Sequence, residues 1–209
     1  MDPHVSRGVH AYAAALRTVP GVLECVPAYA SLLVRYDPIR WSADRLSELI
    51  FDLPVSTTEA GAGILHTLPV CYGGEFGPDL REVATIAQLS EAEITQLHQS
   101  RTYLAYQLGF LPGFAFLGRT PSPLHVSRRK EARTRVPAGS VGLAGEQTAV
   151  YPSASPGGWQ LIGRCPLPLL TDEAEPRIRI RAGDRVQFYA INAADFYELQ
   201  NQPQPWPKR

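Results

Sequence analysis

The spacing of hydrophobic and polar positions changes several times along the chain, and each change predicts an element. Apolar residues recur at helical spacing over 4–18. Two short apolar segments follow, 22–26 and 31–36, and the turn between them predicts an antiparallel hairpin. Ser42 then caps a predicted helix over 43–51. This order predicts a small α+β layer, in which a two-stranded sheet alone would be only marginally stable.

A polar segment of small residues over 55–63 predicts a domain boundary. The later pattern predicts further strands and helices, with strands over 64–72, 102–108, 159–163, 177–181 and 185–191 and helices over 80–87, 91–99 and 195–199. Many short strands joined by Gly and Pro turns are typical of a barrel or sandwich. The predicted class is α+β, with a small α/β domain over 1–60 and a β-barrel domain over 61–209.

Acidic and hydroxyl residues precede the two helices that open the second domain. Ser90 and Glu93 have the spacing of a capping box. Glu75 and Asp79 are four residues apart, and such a pair could hold Mg²⁺ or act as acid and base. We interpret Asp79 instead as the cap of the helix over 80–87. Glu75 stays open as an acid, a base or a partner contact.

Composition narrows the possible functions. Lys and Arg total 20 and Asp and Glu total 20, so the zero net charge gives no argument for binding nucleic acid or an anionic membrane. The N-terminus does not resemble a secretory signal and no apolar run approaches the ~18 residues of a membrane span, so we expect a soluble cytoplasmic protein. Cys25, Cys71 and Cys165 are widely spaced, which predicts reduced thiols and no metal site.

The stretch over 109–164 is rich in Gly and Pro but punctuated by aromatic residues, which predicts short strands and shaped loops around a polar pocket. Its middle carries the densest positive cluster of the chain: Arg128, Arg129, Lys130, Arg133 and Arg135. Arginine forks suit a carboxylate or phosphate, whereas the alternative is a solvated loop or a set of ion pairs. Arg135 adjoins the turn over 136–140 and is the arginine most expected to face a site.

Several neutral residues complete the candidate pocket. Hydroxyl or amide groups lie close together at Ser140, Gln147, Thr148 and Tyr151. They could hydrogen-bond a small polar ligand, or they could satisfy loop backbone. Trp159 could stack on a ligand or fill the core. His66 and His98 have no partner in sequence and are predicted to be structural.

Motifs spread through the second domain resemble the KipI family, which includes the B subunit (PxpB) of bacterial 5-oxoprolinase and is also labelled allophanate hydrolase subunit 1. The motifs lie at residues 69–80, 109–114, 136–141, 147–152 and 155–164. The resemblance covers about 5–195 and implies that the barrel is cyclophilin-like. Family members usually begin with an additional strand before the first helix; this chain starts directly at the helix, so we expect that strand to be absent here.

The resemblance further implies one subunit of a heteromeric, ATP-dependent 5-oxoprolinase that is inactive alone. Its partners would be a KipA-type subunit (the C subunit of 5-oxoprolinase, PxpC) and a third subunit, with ATP and Mg²⁺ used by the complex. The predicted substrate-binding residues are Arg135, Ser140, Gln147, Thr148, Tyr151 and Trp159. The alternatives are a KipI-like inhibitor of a sensor histidine kinase and one subunit of an allophanate or urea amidohydrolase. A prolyl isomerase would rest on the fold alone.

Overall fold

The computed structural model of this 209-residue chain describes residues 2–54, 63–172, 177–202 and 206. The chain divides into two compact units, Met1–Gly63 and Ile64–Arg209. The predicted linker over 55–63 lies outside the described residues, apart from Gly63. Among the helices described, none is long and apolar enough to cross a membrane.

The first unit contains two helices and a two-stranded hairpin, which share one apolar core. In chain order they are α1 (Pro3–Leu16), β1 (Val22–Pro27), β2 (Leu32–Tyr36) and α2 (Ala43–Asp52). The strands pair antiparallel as predicted, with Cys25 opposite Val34. Ala13, Leu16 and Cys25 are the buried centre of this core. Ser42 caps α2 as predicted, because its side chain accepts a hydrogen bond from the backbone N–H of Arg45.

The second unit is built on a closed barrel in the strand order β10-β3-β11-β4-β5-β8-β7. These strands are β3 (Leu65–Tyr72), β4 (Thr102–Leu108), β5 (Ala115–Gly118), β7 (Ser140–Ala144), β8 (Gln147–Val150), β10 (Gln160–Arg164) and β11 (Arg185–Ile191). A separate ribbon pairs β6 (Arg133–Val136) with β9 (Ser155–Gly157). The helices are α3 (Leu80–Ala87), α4 (Glu91–Gln99) and α5 (Ala193–Asn201). The predicted α+β class and barrel are confirmed.

Local signals placed several of these elements correctly. The predicted bounds of α3, α4 and β4 agree with the structure. The capping box of α4 is confirmed, since Ser90 and Glu93 bond each other's backbone N–H groups. The strand predicted over 177–181 is wrong, because only Ile178 forms an isolated bridge, with Leu170.

Two backbone donors of 177–181 bond within that isolated bridge and to a side chain, not along a continuous strand ladder. The Arg179 N–H donates to the Leu169 carbonyl, and the Arg181 N–H donates to the Asp184 carboxylate 2.8 Å away. A turn at Gly183, whose φ is +93°, then leads into β11. The alternation of Arg and Ile therefore has the period of a strand, although the segment does not form one.

Two histidines are buried in the second unit and bonded on both ring nitrogens. His66 lies 2.9 Å from Asp184 Oδ2, and its Nδ1 accepts a hydrogen bond from Trp206 Nε1 at 2.8 Å. His98 lies 2.8 Å from the Tyr72 hydroxyl and 2.9 Å from the Thr148 hydroxyl. Both residues join separate parts of the barrel unit, which agrees with the structural role predicted for them.

Besides a small cluster formed by Cys71, Phe76 and Phe196, the described part of the second unit has two large apolar clusters. The larger one joins barrel strands to α3 and α4 and includes Leu68, Ile94 and Phe188. The smaller one gathers Phe114, Val136, Ala144, Ala149, Tyr151, Trp159 and Leu161. Val136 belongs to β6, so the smaller cluster also ties the ribbon to the barrel. The candidate site is built on this smaller cluster.

Candidate small-ligand site

A cavity of about 260 Å³ lies where β9 and the loops over 109–114 and 128–132 meet Tyr151 and Trp159. Its aromatic lining consists of Phe110, Phe114, Phe116, Tyr151 and Trp159. The remaining lining comes from small residues, Pro156 and Arg128. An apolar cavity with few polar groups is the usual form of a small-molecule site.

The aromatic wall is held by edge-to-face contacts centred on Phe114. The Phe114 ring centroid lies 5.2 Å from that of Tyr151 and 5.6 Å from that of Trp159, with interplanar angles of 81° and 88°. Phe116 adds a third such contact at 4.9 Å. These geometries are the favoured ones for aromatic pairs, so the contacts stabilise the arrangement of the wall.

The Tyr151 hydroxyl is the neutral polar group of this cavity. Burial raises the pKa of Tyr151, while the hydrogen bond from the Trp159 backbone N–H and the charges of Arg128 and Arg133 act in the opposite direction. The phenol therefore stays protonated at neutral pH and can donate its O–H. Gly157 makes room for it, because a Cβ there would lie 2.5 Å from the Tyr151 oxygen.

Arg128 supplies the positive charge. Its guanidinium carbon lies 6.0 Å from the centre of the Trp159 ring, and the side chain lines the cavity. No ion pair to Arg128 is found within the described ranges. A planar, permanently charged fork beside an aromatic slot suits a small ligand that carries a carboxylate.

Asp79 occupies the N-cap position of α3 as predicted, but its side chain does not cap the helix, which corrects that part of the prediction. Its side chain makes no capping hydrogen bond and is instead buried, with 3% of its surface exposed. Oδ1 accepts from Arg129 Nη1 at 3.0 Å and from Arg133 Nη2 at 2.6 Å. Two arginines of the basic cluster are thus paired with one carboxylate, as the ion-pair alternative for that cluster allows.

The structure does not bring the six predicted substrate-binding residues together. Tyr151 and Trp159 line the cavity. Ser140 and Thr148 are buried within β7 and β8, and Thr148 is engaged by His98. Gln147 pairs with Gly118 across β5 and β8.

Arg135 and Glu75, the two charged residues predicted to act at the site, also lie outside the cavity lining. Arg135 is exposed on β6 and does not line the cavity. Glu75 is exposed and accepts a hydrogen bond from the Tyr197 hydroxyl at 3.3 Å. The roles predicted for both residues stay predictions.

Sequence reasoning considered Arg128 only as one member of the basic cluster and preferred Arg135, and it assigned none of the three phenylalanines to the binding site. Phe114 and Phe116 are two residues apart at β5, so strand periodicity places them on one face. Phe110 is the third: it is 62% exposed, with a φ of +69°, at the rim of the cavity. An exposed aromatic residue in the left-handed region is a signal that only coordinates reveal.

A larger groove of about 610 Å³ runs along α4. It is lined mainly by the polar face of that helix, including Glu91 and Gln99. The Gln99 side chain is already used, because it accepts from the Ala190 N–H and donates to the Thr95 carbonyl. The aromatic cavity is therefore the better candidate for ligand binding.

Comparison with known proteins assigns most of the chain to one family. Residues 1–180 match the family described as carboxyltransferase domain, subdomain C and D. The chain is 42% identical over 222 residues to the B subunit of 5-oxoprolinase from Bacillus subtilis, covering 97% of this chain and 90% of that protein. It is 39% identical over 189 residues to the protein of the same name from Haemophilus influenzae, covering 87% and 85%.

Solved structures show the same fold. The crystal structure of TTHA0988 matches with a TM-score of 0.82 at 37% identity, covering 99% of this chain. This chain spans only 39% of that longer one. Urea carboxylase of Kluyveromyces lactis matches with a TM-score of 0.70 at 16% identity, covering 95% of this chain and 20% of that one. That match extends to the fold alone.

Proposed function

Because this chain belongs to the carboxyltransferase domain C and D family and is similar to 5-oxoprolinase B subunits, we propose that it is the B subunit of an ATP-dependent 5-oxoprolinase. The complex converts 5-oxo-L-proline to L-glutamate. A KipA-type partner (PxpC) and a third subunit complete it, and the isolated chain is inactive. The aromatic cavity with Arg128 carries this proposal, because its shape and charge suit the substrate.

The size and lining of the cavity fit a small lactam. Its volume of about 260 Å³ lies just below the ~300–1,000 Å³ of pockets for drug-sized ligands, so it suits a single small ring. The faces of that ring pack against Phe114 and Trp159. Apolar walls that exclude water also strengthen the polar contacts made inside.

Two polar groups orient the ring. The Arg128 guanidinium pairs with the substrate carboxylate, for which its fork geometry is suited. The Tyr151 hydroxyl accepts from the Trp159 backbone N–H and still has its own proton to donate to the lactam carbonyl. These contacts fix which edge of the lactam is presented for reaction, and such positioning is a large part of catalysis.

ATP, used with Mg²⁺ by the complex as a whole, supplies the activation that an unreactive lactam needs, by phosphorylating the carbonyl oxygen and so creating a leaving group. Within the described ranges of this chain, no three His, Cys, Asp or Glu side chains cluster where they could hold a metal ion. The residues of this chain bind the substrate, orient it and shield it from water.

The test is a reconstituted complex of all subunits with ATP and 5-oxoproline, assayed for glutamate. We expect Arg128→Ala to raise KM about tenfold or more, because a hydrogen bond to a charged group contributes ~1.5–3 kcal/mol. Arg119→Ala is the matched control, since Arg119 is an exposed arginine that pairs with Glu146 and does not line the cavity. Its KM should equal that of the wild type.

Two results would contradict the proposal in different ways. If Arg135→Ala impairs turnover and Arg128→Ala does not, the substrate lies at the residues predicted from sequence and not in this cavity. If the wild-type complex hydrolyses ATP with allophanate and ignores 5-oxoproline, the substrate class is wrong.

A further inference from the structure

The buried carboxylate of Asp79 uses both oxygens at once. Oδ1 accepts from Arg129 and Arg133, and Oδ2 accepts from the Leu161 N–H at 2.7 Å. The Asp79 N–H donates in turn to the Leu161 carbonyl at 2.9 Å. Asp79 is thus fixed to β10 by two hydrogen bonds, and its other oxygen holds two cations.

Those two cations bracket one wall of the cavity. Ala132 lies within the segment 129–133, and Arg128 directly precedes that segment. Both residues line the cavity. The Arg129 N–H also donates to the carbonyl of Gly158, another lining residue, at 2.7 Å. The carboxylate therefore anchors both ends of the 129–133 segment, and Arg128 is attached directly to its first residue.

The two arginines depend strongly on this carboxylate. Their side chains are only 31% and 23% exposed. Arg129 Nε and Arg133 Nη1 are buried and have no hydrogen-bond partner among the described residues. A second carboxylate, Glu82, is 3.8 Å from Arg129 but is itself half exposed. Partly buried cations that lose their counter-charge repel each other and move towards solvent.

We infer that Asp79 is a positioning residue: by pairing with Arg129 and Arg133 it holds the 128–133 segment so that Arg128 faces the ligand. The inference rests on the proposed function for the identity of that ligand. Asp79 itself does not line the cavity, so it acts through the arginines and makes no contact with the substrate.

The test compares Asp79→Asn with Asp184→Asn. Asn at either position keeps the shape but removes the charge. Asp184 is the matched control because it is also buried and also accepts several hydrogen bonds, from Ile64, His66 and Arg181, while it does not line the cavity. Two measurements are made on each variant: hydrogen exchange of the full chain, and steady-state kinetics of the complex with 5-oxoproline.

We expect Asp79→Asn to speed amide exchange over 128–133 and to raise KM about tenfold with kcat nearly unchanged, since misplacing a binding group by ~1 Å can cost up to ~100-fold. Asp184→Asn should leave both quantities as in the wild type. Arg133→Met removes the shorter of the two ion pairs from the other side, and it should change both quantities in the same direction if Asp79→Asn fails to fold.

The inference is overturned if Asp79→Asn and Arg133→Met lower stability but leave KM and exchange over 128–133 at wild-type values. That pattern would mean a purely structural ion pair. Failure of the proposed function looks different: the wild-type complex would not turn over 5-oxoproline at all. The exchange measurement needs no substrate, so it would still decide the role of Asp79.

Discussion

His98 makes the stability of the barrel unit depend on pH. Complete burial lowers the pKa of His98 from 6.5 to about 3. The ring stacks on Phe188 with centroids 4.5 Å apart and contacts Tyr72 and Thr148 through its nitrogens. The folded state therefore keeps the imidazole neutral at pH values where the unfolded chain protonates it.

The difference between the pKa of His98 in the folded and unfolded states sets the sign and size of the change in the free energy of unfolding. Below pH 6.5 the unfolded state binds a proton that the folded state does not, so the free energy of unfolding falls as the pH falls. The loss approaches ~1.4 kcal/mol per pH unit and ends near pH 3, where the folded state is protonated too. Between pH 7.5 and 4.5 the expected loss from His98 is about 3 kcal/mol.

The measurement is urea unfolding of the wild type and of His98→Gln at several pH values in this range. Other groups titrate in both proteins, so the informative quantity is the difference between the two free energies of unfolding. That difference should shift by about 3 kcal/mol in favour of His98→Gln as the pH falls to 4.5.

Thr148→Val is the control, because it removes a hydrogen-bond partner but leaves the imidazole in place. Its stability should fall, yet its dependence on pH should run parallel to that of the wild type. A constant difference between wild type and His98→Gln from pH 7.5 to 4.5 would refute the reasoning.

Two further predictions concern packing and thiol chemistry. Gly77→Ala should lower the free energy of unfolding by about 3 kcal/mol, because its Cβ would lie 2.0 Å from the Ile162 carbonyl oxygen, which is backbone and cannot move away cheaply. Gly109→Ala, whose Cβ would meet only Phe116 at 3.7 Å, should change it little in the same urea titration. All three cysteines are buried, and burial raises the pKa of Cys165 to about 12 and also raises those of Cys25 and Cys71. At pH 8 a disulfide reagent should therefore label none of them quickly in the folded chain and all of them in urea, so a rapidly labelled thiol in the folded chain would contradict this account.

The sequence by itself determined those elements whose signals are local. Ser90 and Glu93 marked the start of α4, and apolar periodicity with flanking turns gave the bounds of α3 and β4. These signals depend on residues within a few positions of each other, which an isolated sequence displays directly. The same holds for the motifs that indicated the family.

Only the tertiary structure decided which side chains meet. Asp79 looked like a cap because Asp commonly caps helices, but its partners Arg129 and Arg133 are 50 and 54 residues away in the chain. The cavity likewise joins loops that barrel closure brings together, so Arg128 lines it while Arg135, only seven positions later, does not. Contacts between distant segments depend on how the strands are ordered around the barrel, and local spacing carries no record of that order.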